Sequence, residues 1–178
     1  LNIFFSIKDF FKKKIIRFLI HFSYPLADII IVNSKGIKNG FPNVLKKKIK
    51  VIYPPAIINT LKLKKLNKNS ENFKAVCFSR LSIEKNLDCA IKSFNYLKNI
   101  NISLTIYGNG NQKEKLAKLV DSLSLKNKIS FKKHTTNVTK EMKKFNILIS
   151  PSFFEGCSNS IIEALNNDLV VIASNCPG

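Results

Sequence analysis

The chain has 178 residues, of which 45% are hydrophobic, so it is long and apolar enough to bury the core of a folded domain. Its net charge of +19 favours an anionic partner such as nucleic acid, a membrane surface or an acidic substrate. The four cysteines form no CxxC pair and the two histidines lie far apart, so neither a zinc site nor a disulfide framework is indicated. A cytoplasmic location is the simplest expectation, and no apolar run approaches the roughly 20 residues of a membrane-spanning helix.

The positive charge is concentrated in the first part of the chain. Residues 1–70 hold 15 basic and 2 acidic residues, a net +13, whereas residues 71–178 hold 15 and 9, a net +6. Only Arg17 and Arg80 are arginines, and the lysines stand among abundant asparagine and isoleucine, as AT-rich coding produces. Functional charge and compositional drift both remain open. One alternative function is therefore a basic nucleic-acid or membrane-surface binding module without catalysis, although aromatic residues interleaved with lysines on a strand are absent.

Apolar residues at three- and four-residue steps predict an amphipathic helix over about residues 5–23, which Pro25 ends. The apolar stripe consists of Phe4, Ile7, Phe11, Ile15, Phe18 and Phe22. Two placements are open, because such a helix can pack on its own sheet or lie against anionic lipid. Short strands are predicted at 27–32 and 49–53, with Ser34 capping a short helix between them.

Beyond the second of these strands, a proline pair and a lysine- and asparagine-rich stretch predict an interdomain linker over 54–71. Regular alternation follows. Strands are predicted at 74–79, 102–107, 128–131, 146–150 and 169–173, and helices at 84–98, 111–123, 138–145 and 159–166. This order indicates an α/β fold with a parallel sheet and helices on both faces.

In such a sheet the loops at the carboxyl ends of the strands bind ligands, and the loop after 74–79 carries Arg80 and Lys85. A planar guanidinium and a mobile ammonium five residues apart are suited to holding a diphosphate. In a chain that uses lysine almost everywhere, the arginine at this strand end indicates that lysine would not serve. The alternative is a surface ion pair between Arg80 and Glu84.

A second loop, between the predicted strand 146–150 and helix 159–166, holds Glu155 and Gly156, and Glu163 follows inside the helix. The two acids are too far apart along the chain to act as an adjacent acid/base pair, so we expect separate acceptors for hydroxyl groups. The glycine allows close backbone approach, and the free amides of residues 157–160 provide an anion site. The alternative is a capped helix with a surface glutamate. The Gly108-Asn109-Gly110 loop is only weak support for a dinucleotide site.

Three motifs carry a family resemblance: Arg80-Leu81 with Lys85-Asn86, residues 106–110, and Glu155-Gly156 with Glu163-Ala164-Leu165. In order and spacing they resemble the retaining glycosyltransferase family 4, whose GT-B architecture has two facing Rossmann-like domains. The donor half of that family reads G-R-L-x-x-x-K, then G-x-G, then E-G and E-A with seven residues between the two acids. Segments 27–34 and 49–55 look like the end of the acceptor domain and the crossover. The departures are Ser79, where glycine is common, and Ser158, where proline is common.

The resemblance implies an α/β fold built on the Rossmann-like parallel sheet of the GT-B donor domain, preceded by the end of the acceptor domain. The expected division is 1–53 for the C-terminal part of the acceptor domain, 54–71 for the linker and 72–178 for an incomplete donor domain. Neither terminus looks like a natural domain boundary, so we expect a piece of a longer enzyme that is inactive alone.

The resemblance also implies the roles of the site residues. Arg80 and Lys85 would hold the donor diphosphate, Glu163 the ribose hydroxyls and Glu155 the transferred sugar, while main-chain groups near Lys133 and His134 would border the base. The expected catalytic residues are Arg80, Lys85 and Glu155. The expected donor-binding residues are Arg80, Lys85, Lys133, His134, Glu155, Gly156, Cys157, Ser158, Asn159 and Glu163.

The implied reaction moves a hexose-type sugar from a UDP-sugar, or a GDP-sugar, to a glycan or lipid-linked acceptor with retention. We expect no metal and no cofactor beyond this co-substrate, because no Asp-x-Asp motif is present. The aspartates Asp9, Asp28, Asp88, Asp121 and Asp168 are all isolated. The expected location is cytoplasmic, peripheral at the inner membrane face, with an anionic membrane surface as a candidate partner and no nucleic acid.

Overall fold

The computed structural model describes residues 7–55 and 72–176, and for residues 7–13 and 17 it describes the main chain only. The chain divides into two units, Leu1–Tyr53 and Pro54–Gly178. Residues 56–71 of the expected linker lie outside the described residues, as do residues 5 and 6 of the expected first helix, so these parts of the prediction stay predictions.

The first unit holds a long helix and a small parallel sheet. Its elements are α1 (Ile7–Ser23), a 3-10 turn (Tyr24–Leu26), β1 (Ile30–Val32), α2 (Lys35–Asn39), α3 (Asn43–Lys46) and β2 (Ile49–Val51). In the two-stranded sheet Ile30 lies opposite Ile49. The predicted cap is confirmed, because Ser34 Oγ accepts a hydrogen bond from the amide of Ile37 at 3.1 Å.

Helix α1 exposes its apolar stripe. Among its described side chains, Ile15, Phe18, Leu19 and Phe22 each leave more than half of their surface accessible. The small sheet of this unit therefore does not cover Ile15, Phe18 or Phe22, whereas the side chains of Phe4, Ile7 and Phe11 lie outside the described part of the chain. Among the helices of the described ranges, none is long and apolar enough to cross a membrane.

The second unit has five parallel strands that alternate with helices. Its elements are β3 (Phe73–Phe78), a 3-10 turn (Ile83–Lys85), α4 (Leu87–Phe94), β4 (Ile102–Tyr107), α5 (Lys113–Ser122), β5 (Ile129–Lys132), α6 (Val138–Met142), β6 (Ile147–Ser150), α7 (Asn159–Asn166) and β7 (Val170–Ala173). The strand order is β5-β4-β3-β6-β7, and every pairing is parallel. The predicted Rossmann-like α/β sheet is thereby confirmed.

The central strand β3 supplies side chains to both faces of the sheet. Ala75 and Cys77 belong to one buried cluster, with the apolar faces of α4 and α5, whereas Val76 belongs to the other, with residues of α6 and α7. From β3 the chain first runs outward through β4 and β5, and then returns to the other side of β3 for β6. The carboxyl ends of β3 and β6 therefore flank the crevice where the strand order reverses, which is the usual ligand position in such sheets.

Two predicted helices are shorter in the structure. The helix expected at 84–98 consists of the 3-10 turn and α4, which ends at Phe94. Between them Asn86 takes a left-handed conformation with φ of 49°, which interrupts continuous helix and which asparagine tolerates better than most residues. The helix expected at 138–145 ends at Met142, after which Phe145 enters the core.

Candidate functional site

A cleft lies at the carboxyl ends of the strands in the second unit. It consists of two adjoining cavities, of about 510 and 290 Å³. Five of the residues that line them are common to both cavities: Phe78, Ser79, Arg80, Asn159 and Ser160. Because these shared residues come from the end of β3 and the start of α7, the two cavities form one continuous cleft at the point where the strand order reverses.

The loop that carries Arg80 is fastened to the Gly108-Asn109-Gly110 loop by main-chain hydrogen bonds. The amide of Leu81 donates to the carbonyl of Asn109 at 2.9 Å. A Cβ atom at Gly108, where φ is +150°, would lie 1.9 Å from the carbonyl oxygen of Ser79, and one at Gly110 would lie 2.2 Å from that of Leu81. Both glycines thus allow two loops to touch, which gives this GxG a packing role in place of a dinucleotide fingerprint.

Arg80 keeps its guanidinium available to a ligand. Its side chain is exposed and borders both cavities. Within the described part of the chain it forms no ion pair with Glu84, whose carboxylate instead accepts a hydrogen bond from Ser82 Oγ at 2.6 Å. That hydrogen bond lowers the pKa of Glu84, and the charge of Arg80 adds a smaller effect. The surface ion pair considered as an alternative is therefore not formed.

Lys85 and Glu155 meet in the smaller cavity although 70 residues separate them in the chain. Lys85 Nζ lies 2.6 Å from Glu155 Oε1, and the two side chains are only 18% and 22% exposed. Ser152 Oγ donates to the same Oε1 atom at 2.8 Å. A predicted cation and a predicted acid are thus brought together as a partly buried ion pair.

Glu163 lies in the wall of the larger cavity, one turn into α7. Burial raises the pKa of its carboxyl group. The residues before and at the start of α7 line the cleft: Cys157 and Ser158 border the smaller cavity, and Asn159 borders both. The first amides of a helix have no carbonyl partner within it, so this helix start favours an anion.

Two predicted binding residues do not line the cleft. Lys133 and Gly156 are absent from both cavity walls, although their neighbours His134 and Cys157 are present. For Lys133 the expectation concerned main-chain groups near the base, and in the described structure His134 and Thr135 form that part of the wall. Gly156 lies in the bend that leads into α7.

Sequence reasoning missed several wall residues, of which Tyr107 is the clearest. Its ring stacks on Phe78 with centroids 4.8 Å apart, and its hydroxyl donates to Glu141 Oε2 at 2.5 Å. Burial and the neighbouring Glu141 carboxylate raise the pKa of Tyr107 to about 12. In the sequence, an aromatic residue at a strand end is indistinguishable from a residue of the hydrophobic core. The adjoining Gly108, which marks the end of the strand, was the signal that Tyr107 lies close to the cleft.

The charges are arranged along the cleft in a definite order. The guanidinium of Arg80 borders both cavities, Glu163 lies on one side of it, and the Lys85–Glu155 pair lies on the other. This arrangement suits a ligand that is anionic in its middle and carries hydroxyl groups toward both ends. Among the described residues no group of three histidine, cysteine or acidic side chains could hold a metal ion.

Comparison with known proteins gives the family. Residues 59–178 match the family model described as Glycosyl transferases group 1. An uncharacterized glycosyltransferase of Methanocaldococcus jannaschii is 32% identical over 96% of this chain and 45% of its own length. A second relative, from Campylobacter jejuni, is 30% identical over 94% of this chain and 47% of its own length. It is the N-acetylgalactosamine-N,N'-diacetylbacillosaminyl-diphospho-undecaprenol 4-alpha-N-acetylgalactosaminyltransferase. The chain thus spans about half the length of these curated relatives.

A solved structure has the same fold. The crystal structure of Anabaena Alr3699/HepE in complex with UDP-glucose superimposes with a TM-score of 0.79 at 22% identity, covering 96% of this chain and 51% of that one. This likeness supports the predicted GT-B donor-domain fold. The chain belongs to the glycosyl transferases group 1 family.

Proposed function

We propose that the intact protein is a retaining glycosyltransferase of family 4 that transfers a hexose-type sugar from a UDP-sugar to a glycan or lipid-linked acceptor. The observation that carries this proposal is the order of charges along the cleft, with Arg80 between Glu163 and the Lys85–Glu155 pair. A nucleoside diphosphate sugar matches this order, because its diphosphate lies between the ribose hydroxyl groups and the hydroxyl groups of the sugar. The likeness to a protein solved with UDP-glucose and to a transferase named for a diphospho-undecaprenol acceptor supports the same choice.

The donor fits the cleft in one orientation. The nucleoside occupies the larger cavity, where Glu163 accepts from the ribose hydroxyls and His134 borders the base. The diphosphate lies against Arg80 and the start of α7, within reach of Lys85. The sugar occupies the smaller cavity beside Glu155. This orientation is the one that the family resemblance implies, and the cavity that each side chain lines is consistent with it.

In the proposed reaction, the bond from the anomeric carbon to the diphosphate oxygen breaks, a bond from that carbon to the acceptor oxygen forms, and the acceptor proton passes to the departing diphosphate. Negative charge grows on the departing diphosphate. Arg80, Lys85 and the amides at the start of α7 bring positive charge to that position, so they stabilise this charge and take the part that a divalent metal plays in other sugar transferases.

The first experiment is a thermal-shift screen of the intact protein against UDP, GDP and their common sugar conjugates. We expect stabilisation by UDP and by at least one UDP-sugar, because a ligand that binds only the folded state raises its melting temperature. Turnover of that donor is then followed by NMR, which reports the anomeric configuration of the product. An inverted product would remove the retaining assignment, and strong inhibition by EDTA would remove metal independence.

For the cellular setting we propose a cytoplasmic protein that associates peripherally with the inner membrane face. The exposed apolar side chains of Phe18, Leu19 and Phe22 on α1, together with the lysine excess of residues 1–70, support this proposal. Flotation should recover the intact protein with anionic liposomes and not with neutral ones. Equal recovery of the protein with both kinds of liposome would contradict an electrostatic contribution to membrane binding. A salt-sensitive affinity for oligonucleotides without any response to UDP would instead favour a nucleic-acid binding module.

A further inference from the structure

Glu155 is held through one of its two carboxylate oxygens. Both Lys85 Nζ, at 2.6 Å, and Ser152 Oγ, at 2.8 Å, donate to Oε1. Across residues 7–55 and 72–176, no hydrogen bond or ion pair reaches Oε2. A carboxylate has about four acceptor positions. This arrangement therefore fixes the orientation of the carboxylate while leaving its second oxygen open to the smaller cavity, which Glu155 lines.

Ser152 is itself held firmly. It is only 3% exposed, and its carbonyl oxygen accepts a hydrogen bond at 2.5 Å from the Oγ atom of Ser174, the residue directly after β7. A neighbouring bond joins the amide of Ser174 to the carbonyl of Ser150 at 3.0 Å. The loop that follows β6 is thus tied to the adjacent strand, which holds the main chain of Ser152 in place beside Glu155.

The two donors to Oε1 respond differently when an anion binds. Lys85 is a charged group on a flexible stem, so a diphosphate at Arg80 competes with Glu155 for its ammonium. The Ser152 hydroxyl is neutral, buried and attached to a fixed loop, and it has no such competitor. The orientation of Glu155 in the donor complex then depends on the serine.

We propose that Ser152 is a positioning residue that holds Glu155 Oε1, so that Oε2 accepts a hydroxyl group of the transferred sugar while Lys85 turns to the diphosphate. This inference rests on the proposed function, since it assigns the smaller cavity to the sugar. It predicts a defect that depends on the sugar part of the donor and not on the nucleotide.

The test is calorimetric titration of the intact protein and its Ser152→Ala variant with UDP, UDP-glucose, UDP-N-acetylglucosamine and UDP-N-acetylgalactosamine. We expect the affinity for the preferred UDP-sugar to fall about tenfold, which corresponds to about 1.4 kcal/mol, while the affinity for UDP changes less than about twofold. Ser152→Thr keeps the hydroxyl and should restore most of the loss. Ser93→Ala, which removes a hydroxyl bonded to the carbonyl of Ala90 in α4, should change neither affinity.

The same substitution in a Glu155→Ala background separates positioning from general packing. With no carboxylate to orient, Ser152→Ala should add no further loss of UDP-sugar affinity. An equal loss in both backgrounds, a parallel loss of UDP affinity, or no loss in an otherwise active protein would each overturn the inference. A wild-type protein that binds none of the UDP-sugars would overturn the proposed function first, and the two failures are thereby distinguishable.

Discussion

Arg80→Ala should separate catalysis from stability. The guanidinium is exposed, borders both cavities and forms no ion pair with the other residues the structure describes, so the folded protein does not depend on it. Surface substitutions of this kind change the free energy of unfolding by less than about 0.5 kcal/mol. If Arg80 stabilises the departing diphosphate, its removal costs about 2.7–4 kcal/mol in the transition state, a 10²- to 10³-fold loss of kcat.

The assay follows release of UDP from the preferred donor at saturating acceptor, with melting temperatures measured in parallel. Arg80→Lys keeps the charge but not the planar fork, so we expect an intermediate loss of about tenfold. Lys126→Ala removes one positive charge from an exposed pair with Asp121, at 3.2 Å, and should leave kcat unchanged. A loss of less than about fivefold for Arg80→Ala, or a loss that follows the melting temperature, would refute a direct role in catalysis.

Three further substitutions test single features of the second unit, with one control substitution in the first unit, each by chemical denaturation. Glu163→Gln should raise the free energy of unfolding at pH 7.5 but not at about pH 4. Burial raises the pKa of this carboxyl group, so its ionised form destabilises the folded protein only at pH values above the ordinary glutamate pKa. An equal effect of the substitution at both pH values would contradict this reasoning. Gly108→Ala should destabilise by about 3 kcal/mol or more, since its Cβ would meet the Ser79 carbonyl at 1.9 Å, whereas Gly40→Ala, with its nearest contact at 3.4 Å, should be nearly neutral. Tyr107→Phe should cost about 1–2 kcal/mol through loss of its hydrogen bond to a carboxylate, and an unchanged midpoint would show that water replaces that bond.

The alternation of strands and helices was predictable because it depends on local periodicity. All five strands of the larger sheet begin and end within about two residues of the predicted positions, and α7 at Asn159–Asn166 matches the predicted range. The break at Asn86 was not predictable, because an asparagine within an apolar period reads as helix unless the left-handed conformation is known.

The candidate site was predictable to the extent that motif and sheet topology place residues at strand ends. Arg80, Lys85, Glu155 and Glu163 all line the cleft, but the 2.6 Å contact between Lys85 and Glu155 joins residues far apart in the chain and follows only from the folded structure. Ser152 was not among the predicted site residues. A serine carries no signal of its own, and its importance depends on which carboxylate it meets.

The main-chain fastening between the Arg80 loop and the Gly108-Asn109-Gly110 loop has a consequence for engineering. Every amino acid except proline supplies these amides and carbonyls, so the exposed Asn109 side chain can be exchanged without breaking the fastening, whereas the two glycines and the buried Leu81 cannot. Because Asn109 borders the larger cavity, its exchange should alter the wall of the cleft and leave Arg80 where it is.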